Sequence, residues 1–339
     1  METKRKVESL GLLRGVAVLM VCFCHYANPL ASGNALAGMF DAFHVYGKYG
    51  VQLFFVISGF VIPLSMDKAR YSLSYYGKFL MKRIVRLHPP YIVALVITLV
   101  IVYFANKVRN EPFPEDVNSI IKCLFYLKTP SNNGVYWTLR VEMEYYLFMG
   151  LFFVLLKKFP RPTLAIGIPV AMLLSQLPGL IEYIHLFEFL LYFMIGMAAY
   201  IIYNRQDGSS LFEYFCILAI GAFTFIYDGW IPTFAALFAA AVILFYTGKG
   251  NKFLNFTGEI SYSVYLLHFP IGIKLINLLK VKVHPELSIV LFLGALALIL
   301  VIGYLFWRFI EKPSADWSNK IKYGTSKRPP KSLPVEGLT

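Results

Sequence analysis

Residues 11–30 read GLLRGVAVLMVCFCHYANPL, an apolar run that holds one charged and one titratable side chain, Arg14 and His25. At a rise of about 1.5 Å per residue, such a run spans the roughly 30 Å core of a bilayer, so it reads as a membrane-crossing helix. Further apolar runs follow it, so it reads as a retained first span and not a cleaved leader. Eleven steps of about 100° make three turns plus about 20°, which puts Arg14 and His25 on one helix face about 16 Å apart. Charged and titratable side chains inside a span normally face protein or a wet cavity and mark a functional site. The plainer alternative is an Arg that snorkels to the interface and a His that hydrogen-bonds a neighbouring helix.

The rest of the chain extends this reading. Its 339 residues are 58% hydrophobic and only 15% charged, with a mean hydropathy of +0.62. That excludes a soluble domain and predicts an all-α integral membrane protein. We expect about ten transmembrane helices, near 10–30, 48–66, 89–107, 136–156, 162–178, 185–203, 211–227, 231–247, 260–280 and 287–310. The net charge of +13 is spread over loops, which argues against a nucleic-acid-binding face. Lys4, Arg5 and Lys6, the Lys68–Arg86 loop, Lys157, Lys158, Arg161, Arg205, Lys249, Lys252 and the C-terminal lysines fall on one side under a ten-span count. The opposite loops carry Asp41, Glu111, Glu115, Asp116, Glu182, Asp228 and Glu286. Both termini are therefore expected in the cytoplasm.

Residues 1–313 would form the membrane domain, and 314–339 a basic, disordered cytoplasmic tail. The basic 67–88 loop is expected to hold an interfacial helix over 75–87, and 108–135 is the longest loop on the other side. Four cysteines without a CxxC pair suggest neither a disulfide framework nor a metal site.

His25 lies five residues before the far end of the first span, and Glu142 about six residues after the start of the fourth, which runs the opposite way. Similar depth would allow a histidine–carboxylate acid–base pair. Arg140 and Glu144 share that helix, so the competing reading is an ion-pair cluster that fixes packing. Arg83 and Arg86 are helix neighbours if their stretch is helical. With Arg14 they would form a guanidinium cluster facing the cytoplasm and suited to phosphates. The alternative is positive-inside charge touching anionic lipid.

Several stretches then fall into one pattern. RGVAVLMVCFCHYA from Arg14 resembles the first-helix motif of the membrane-bound acyltransferase-3 family, a basic residue followed ten residues later by His. GVQLFFVISGF at Gly50–Phe60 is similar to the second-helix motif, and Arg83 and Arg86 fit an Arg-x-x-Arg pair. WTLRVEMEYY at Trp137–Tyr146 resembles Trp-Ser-Leu-x-x-Glu-x-x-x-Tyr, with Thr138 in place of Ser. SYSVYLLHFP at Ser261–Pro270 and EKP at Glu311–Pro313 match the late helices, all in family order.

The resemblance implies a ten-helix enzyme that moves an acyl group, usually acetyl, from cytoplasmic acyl-CoA to a hydroxyl. The acceptor would be a cell-surface polysaccharide or glycolipid such as O-antigen, reached from a bacterial inner membrane. No metal would take part. His25 becomes the catalytic base and Glu142 its partner. Arg14, Arg83 and Arg86 become candidates for binding the CoA phosphates. Ser58, Trp137, Tyr146, Tyr262, Ser263 and His268 become candidate lining residues, with Ser58, Tyr146, Tyr262 and Ser263 as possible oxyanion donors. For His268, hydrogen-bonded packing is the alternative. Cys24, about 100° round the helix from His25, is a poor covalent nucleophile and reads as packing.

The chain resembles the short, stand-alone members, without a secreted esterase-like domain. Expected partners are the acyl-CoA donor, the carbohydrate acceptor and membrane lipid, with no nucleic acid. Two other readings compete. One is a transporter or flippase for a small anion or lipid-linked sugar, for which no paired, Gly/Pro-broken repeat is visible. The other is acyl transfer to a small molecule or an amino sugar.

Overall fold

The computed structural model describes residues 2–131, 133–205 and 208–323, with side chains from Ser9 onward. Those residues form helices, turns and loops, with no strand among them. The long helix α1 (Glu2–Ala27) carries both Arg14 and His25. It leads to α2 (Ala37–Gly47), α3 (Gly50–Lys68), α4 (Tyr76–Val108) and the short α5 (Val117–Leu124). Next come α6 (Trp137–Lys158), α7 (Pro160–Leu174), α8 (Pro178–Ile181), α9 (Leu186–Asn204), α10 (Leu211–Tyr227) and α11 (Trp230–Phe245). Then α12 (Lys252–Glu259) and α13 (Ser261–Leu267) follow. A π-helical turn at His268–Ile273 joins α13 to α14 (Lys274–Leu279), and another at Trp307–Glu311 joins α15 (Ser288–Phe306) to α16 (Lys312–Lys320).

Six stretches are long and apolar enough to cross a membrane: Ser9–Leu30, Ala37–Lys68, Leu73–Val108, Leu186–Asn204, Ser261–Leu279 and Pro285–Lys320. Helices α7, α10 and α11 are apolar but shorter. Helix α6 is long enough but carries Arg140, Glu142, Glu144, Lys157 and Lys158. By length and composition, the ten expected spans therefore reduce to about six.

Two apolar cores share α1. Leu13 and Ala17 belong to one, with Phe60, Phe153 and Phe193 of α3, α6 and α9. Val18, Cys22 and Tyr26 belong to the other, with Val264 and Phe292 of α13 and α15. The first helix thus runs along the seam of the bundle. Helices α3 and α9 cross backbone to backbone. A Cβ on Gly196 would lie 2.1 Å from the Val56 carbonyl oxygen, and one on Gly59 2.1 Å from that of Phe193. Small residues let helices approach this closely where lipid gives no hydrophobic drive for association.

Three elements depart from expectation. The basic 67–88 loop is largely helical, and α4 runs unbroken from Tyr76 through Pro89 and Pro90 into the apolar stretch. Pro89 has no amide hydrogen for the Val85 carbonyl. Ser314 Oγ of α16 donates to that carbonyl instead, at 2.6 Å, and Tyr262 Oη donates to the Leu87 carbonyl at 2.9 Å. These two side chains come from far along the chain, which is why local sequence reads as a helix break. The expected tail is also partly folded: α16 reaches Lys320 with Ser314 and Ser318 buried. Its remainder, 324–339, lies outside the described residues.

The third departure is the start of α6. Asn133, Val135 and Tyr136 are buried. Tyr136 Oη donates to the Leu266 carbonyl at 2.8 Å, and Thr138 Oγ1 pairs with Tyr265 Oη at 2.6 Å. The chain before α6 therefore dips into the bundle, so α6 begins within it.

Candidate active site

Glu142, on α6, comes up against Arg14 of α1. An open cavity forms there with about 1080 Å³ of empty space, its mouth included. Arg14, Arg83, Arg86, Glu142, Tyr146 and Glu311 line it, and Ser58 and Tyr262 complete the walls expected from sequence. Tyr146 donates to the Glu142 carboxylate. Arg14 interacts electrostatically with Arg86, Glu142 and Glu311. The cavity lining therefore holds three guanidinium groups together with three carboxylates, Glu142, Glu259 and Glu311.

The arginines are held differently. Arg83 is buried, donates to Ser65 Oγ at 2.9 Å, and lies 5.5 Å from the ring centres of both Phe79 and Tyr146. Arg86, one turn on, is exposed at the cavity wall. On α6, Arg140 pairs with Glu144 at 2.9 Å, and Glu144 also accepts the Leu186 amide at 2.7 Å. The packing role weighed for this charge group thus fits Arg140 and Glu144, which tie α6 to the start of α9. Glu142 alone turns to the cavity.

His25 is elsewhere. Its ring centre lies 5.3 Å from that of His268, at an interplanar angle of 42°, and 5.3 Å from Phe269. His44 of α2 is close by, with Nδ1 3.2 Å from the Cys24 carbonyl oxygen. No hydrogen bond or ring contact joins His25 to Glu142 among the described residues. The helical rise puts His25 about 16 Å along α1 from Arg14.

The other sequence candidates divide. Trp137 packs between Phe55 and Phe189, at 6.3 and 5.0 Å between ring centres, and does not line the cavity. Ser263 is buried and committed: its amide and hydroxyl donate to Glu311 at 3.1 and 2.5 Å. Sequence reasoning quoted the Glu311–Pro313 motif but assigned Glu311 no place in the site. Its signal was a carboxylate at the end of an otherwise apolar span. Tyr265 and Glu259, also on the cavity wall, carried no signal of their own.

The arrangement is a cavity lined by three arginines and three carboxylates beside the middle of α1, and a half-buried histidine about three turns further along that helix. It can hold an anionic group at the first place and move a proton at the second. The chain belongs to the acyltransferase-3 family, whose model, an acyltransferase domain, matches residues 7–308.

Curated relatives carry related names. An O-acetyl transferase of Shigella phage Sf6 is 23% identical over 91% of this chain and 96% of its own length. The O-acetyltransferase OatA of Staphylococcus aureus is 24% identical over 92% of this chain but 58% of its own length. Nodulation protein 10 of Rhizobium leguminosarum bv. viciae is 26% identical over 45% of this chain and 46% of its own. No solved structure matches. The protein is an acyltransferase with several membrane-length apolar helices.

Proposed function

We propose that this acyltransferase is a membrane O-acetyltransferase that moves acetyl from cytoplasmic acetyl-CoA to a hydroxyl of a cell-surface polysaccharide or glycolipid. The observation that carries the reading is the arginine-lined cavity beside Arg14 of α1 with His25 about three turns further along the same helix. A CoA thioester has its phosphates and its reactive carbonyl at opposite ends of a flexible arm. Arg14, Arg83 and Arg86 would hold the phosphates by charge-assisted hydrogen bonds. The arm would then follow α1 towards His25. The names of the phage and staphylococcal relatives support an O-linked acetyl product.

His25 acts as general base. It takes the proton of the acceptor hydroxyl as that oxygen attacks the thioester carbonyl. The new O–C bond forms, the C–S bond breaks, and His25 returns the proton to the leaving thiolate. Partial burial of His25 limits competing hydrolysis. Glu142 then serves the donor cavity, where its carboxylate balances guanidinium charge and holds Tyr146.

In this reading the shorter helices α7, α10 and α11, together with α6, also cross the bilayer. That restores ten spans, with both termini cytoplasmic in a bacterial inner membrane. The basic loops and the Arg14 end of α1 then share the cytoplasmic side, where the donor is found.

Membranes from the native cell, supplied with acetyl-labelled acetyl-CoA, test the reading. Label should enter a glycan fraction with the wild type and not with His25→Ala. Wild-type membranes that transfer no label, beside a working control, would remove the acetyl assignment. Transfer by His25→Ala at the wild-type rate would remove the base.

A further inference from the structure

No hydrogen bond joins the proposed base, His25, to Glu142 among the described residues. Another group stands in that place. His268 is fully buried, and its ring centre is 5.3 Å from that of His25. Its Nδ1 lies 2.6 Å from the Tyr265 carbonyl oxygen, three residues back on its own helix. A carbonyl only accepts, so Nδ1 must carry the hydrogen, and Nε2 is left as an acceptor lone pair. That Nε2 is buried and has no hydrogen-bond partner. A buried polar atom without a partner is costly and rare.

The backbone around it is also unusual. His268 opens the π-helical turn His268–Ile273, a feature that concentrates at functional sites. Tyr26, the residue after His25, donates from Oη to the His268 carbonyl at 3.2 Å. The same Tyr26 hydroxyl would lie 1.9 Å from a Cβ on Gly272, so only glycine leaves room for it. The residue next to His25 therefore locks onto the backbone of His268, and the two imidazoles are held in register from both helices.

We propose that His268 is the positioning residue for His25: its Nε2 accepts the N–H of His25 and so presents the other His25 nitrogen to the acceptor hydroxyl. This rests on the reading of His25 as the base. When His25 takes the hydroxyl proton, both its nitrogens carry hydrogen, and the His25–His268 hydrogen bond persists until the proton passes to the thiolate. His268 stays neutral throughout. A neutral partner suits a buried apolar place, where an unpaired carboxylate would be far more costly to desolvate.

The test measures acetyl transfer in native-cell membranes at varied acetyl-CoA for the wild type, His268→Ala, His268→Leu, His268→Gln and His25→Ala. Ala and Leu remove the acceptor, and Leu keeps much of the volume should the Ala variant fail to accumulate. Gln returns an amide oxygen near the position of Nε2. The expected loss in kcat is about 10- to 100-fold for Ala or Leu. KM for acetyl-CoA should stay near the wild-type value, and Gln should recover most of the rate.

A wild-type kcat in the Ala or Leu variant overturns the proposal. So does an equal loss in Leu and Gln accompanied by a raised KM, which would mark a purely structural role. If His25→Ala is inactive while His268→Leu is fully active, this proposal fails alone. If His25→Ala transfers normally, the base reading fails.

Discussion

Arg83 and Arg86 are one helical turn apart and differ in what a substitution should do. Arg83 is wedged between Phe79 and Tyr146 and tied to Ser65, so its charge also holds α4 against α3 and α6. Cation–π contacts contribute about 0.5–2 kcal/mol each, and a hydrogen bond from a charged group about 1.5–3 kcal/mol. Arg83→Ala should therefore lower the thermal midpoint of the purified protein in detergent as well as weaken donor use. Arg86→Ala should leave the midpoint unchanged and raise KM for acetyl-CoA about tenfold, one lost charge-assisted contact. Equal effects of the two on midpoint and KM would contradict this division. The motif spacing identified both arginines but could not separate them. Their difference lies in Ser65, Phe79 and Tyr146, contacts that only the tertiary fold creates. The Ser263–Glu311 bond is hidden from the sequence for the same reason: the two are 48 residues apart.

Among the elements, the loop between α4 and α6 has its own electrostatic fastening. Glu115 accepts the Ser131 amide at 2.5 Å and Lys128 Nζ at 3.1 Å, and Lys128 also donates to Ser119 Oγ at 2.8 Å. Burial alone would raise the Glu115 carboxyl, but the Ser131 and Lys128 bonds outweigh it and hold it below its ordinary 4.5. A carboxyl lowered on folding stabilises the folded loop above the ordinary value, and that contribution fades as pH falls through the lowered one. Limited proteolysis of residues 109–131 should be slow at neutral pH and accelerate below about 4.5. Glu115→Gln should remove that pH dependence; if it persists, another group fastens the loop. Hydrophobic periodicity revealed the long helices, because a membrane-crossing run is a local property. It put the start of α6 at 136, against Trp137, but began the span of α4 at 89, where α4 runs back unbroken to Tyr76 because distant partners support it. Ser314 and Tyr262 satisfy carbonyls around the proline pair, and Tyr265 and Leu266 receive the start of α6.

At the scale of the whole molecule, both cores grip α1, which carries Arg14 and His25 about three turns apart. A donor must therefore satisfy two places at once. Acetyl-CoA should show a KM that rises in Arg14→Ala. A truncated thioester without the nucleotide and phosphates should start with a high KM that Arg14→Ala leaves unchanged. An equal rise for both donors would mean that Arg14 acts on the fold and not on the phosphates. A helix packed on both sides is also a rigid gauge. Because one continuous helix joins Arg14 to His25, the interval between anchoring and reaction is constant at about 16 Å. Donors would then be sorted by the length of their tether before the acyl group itself is sampled.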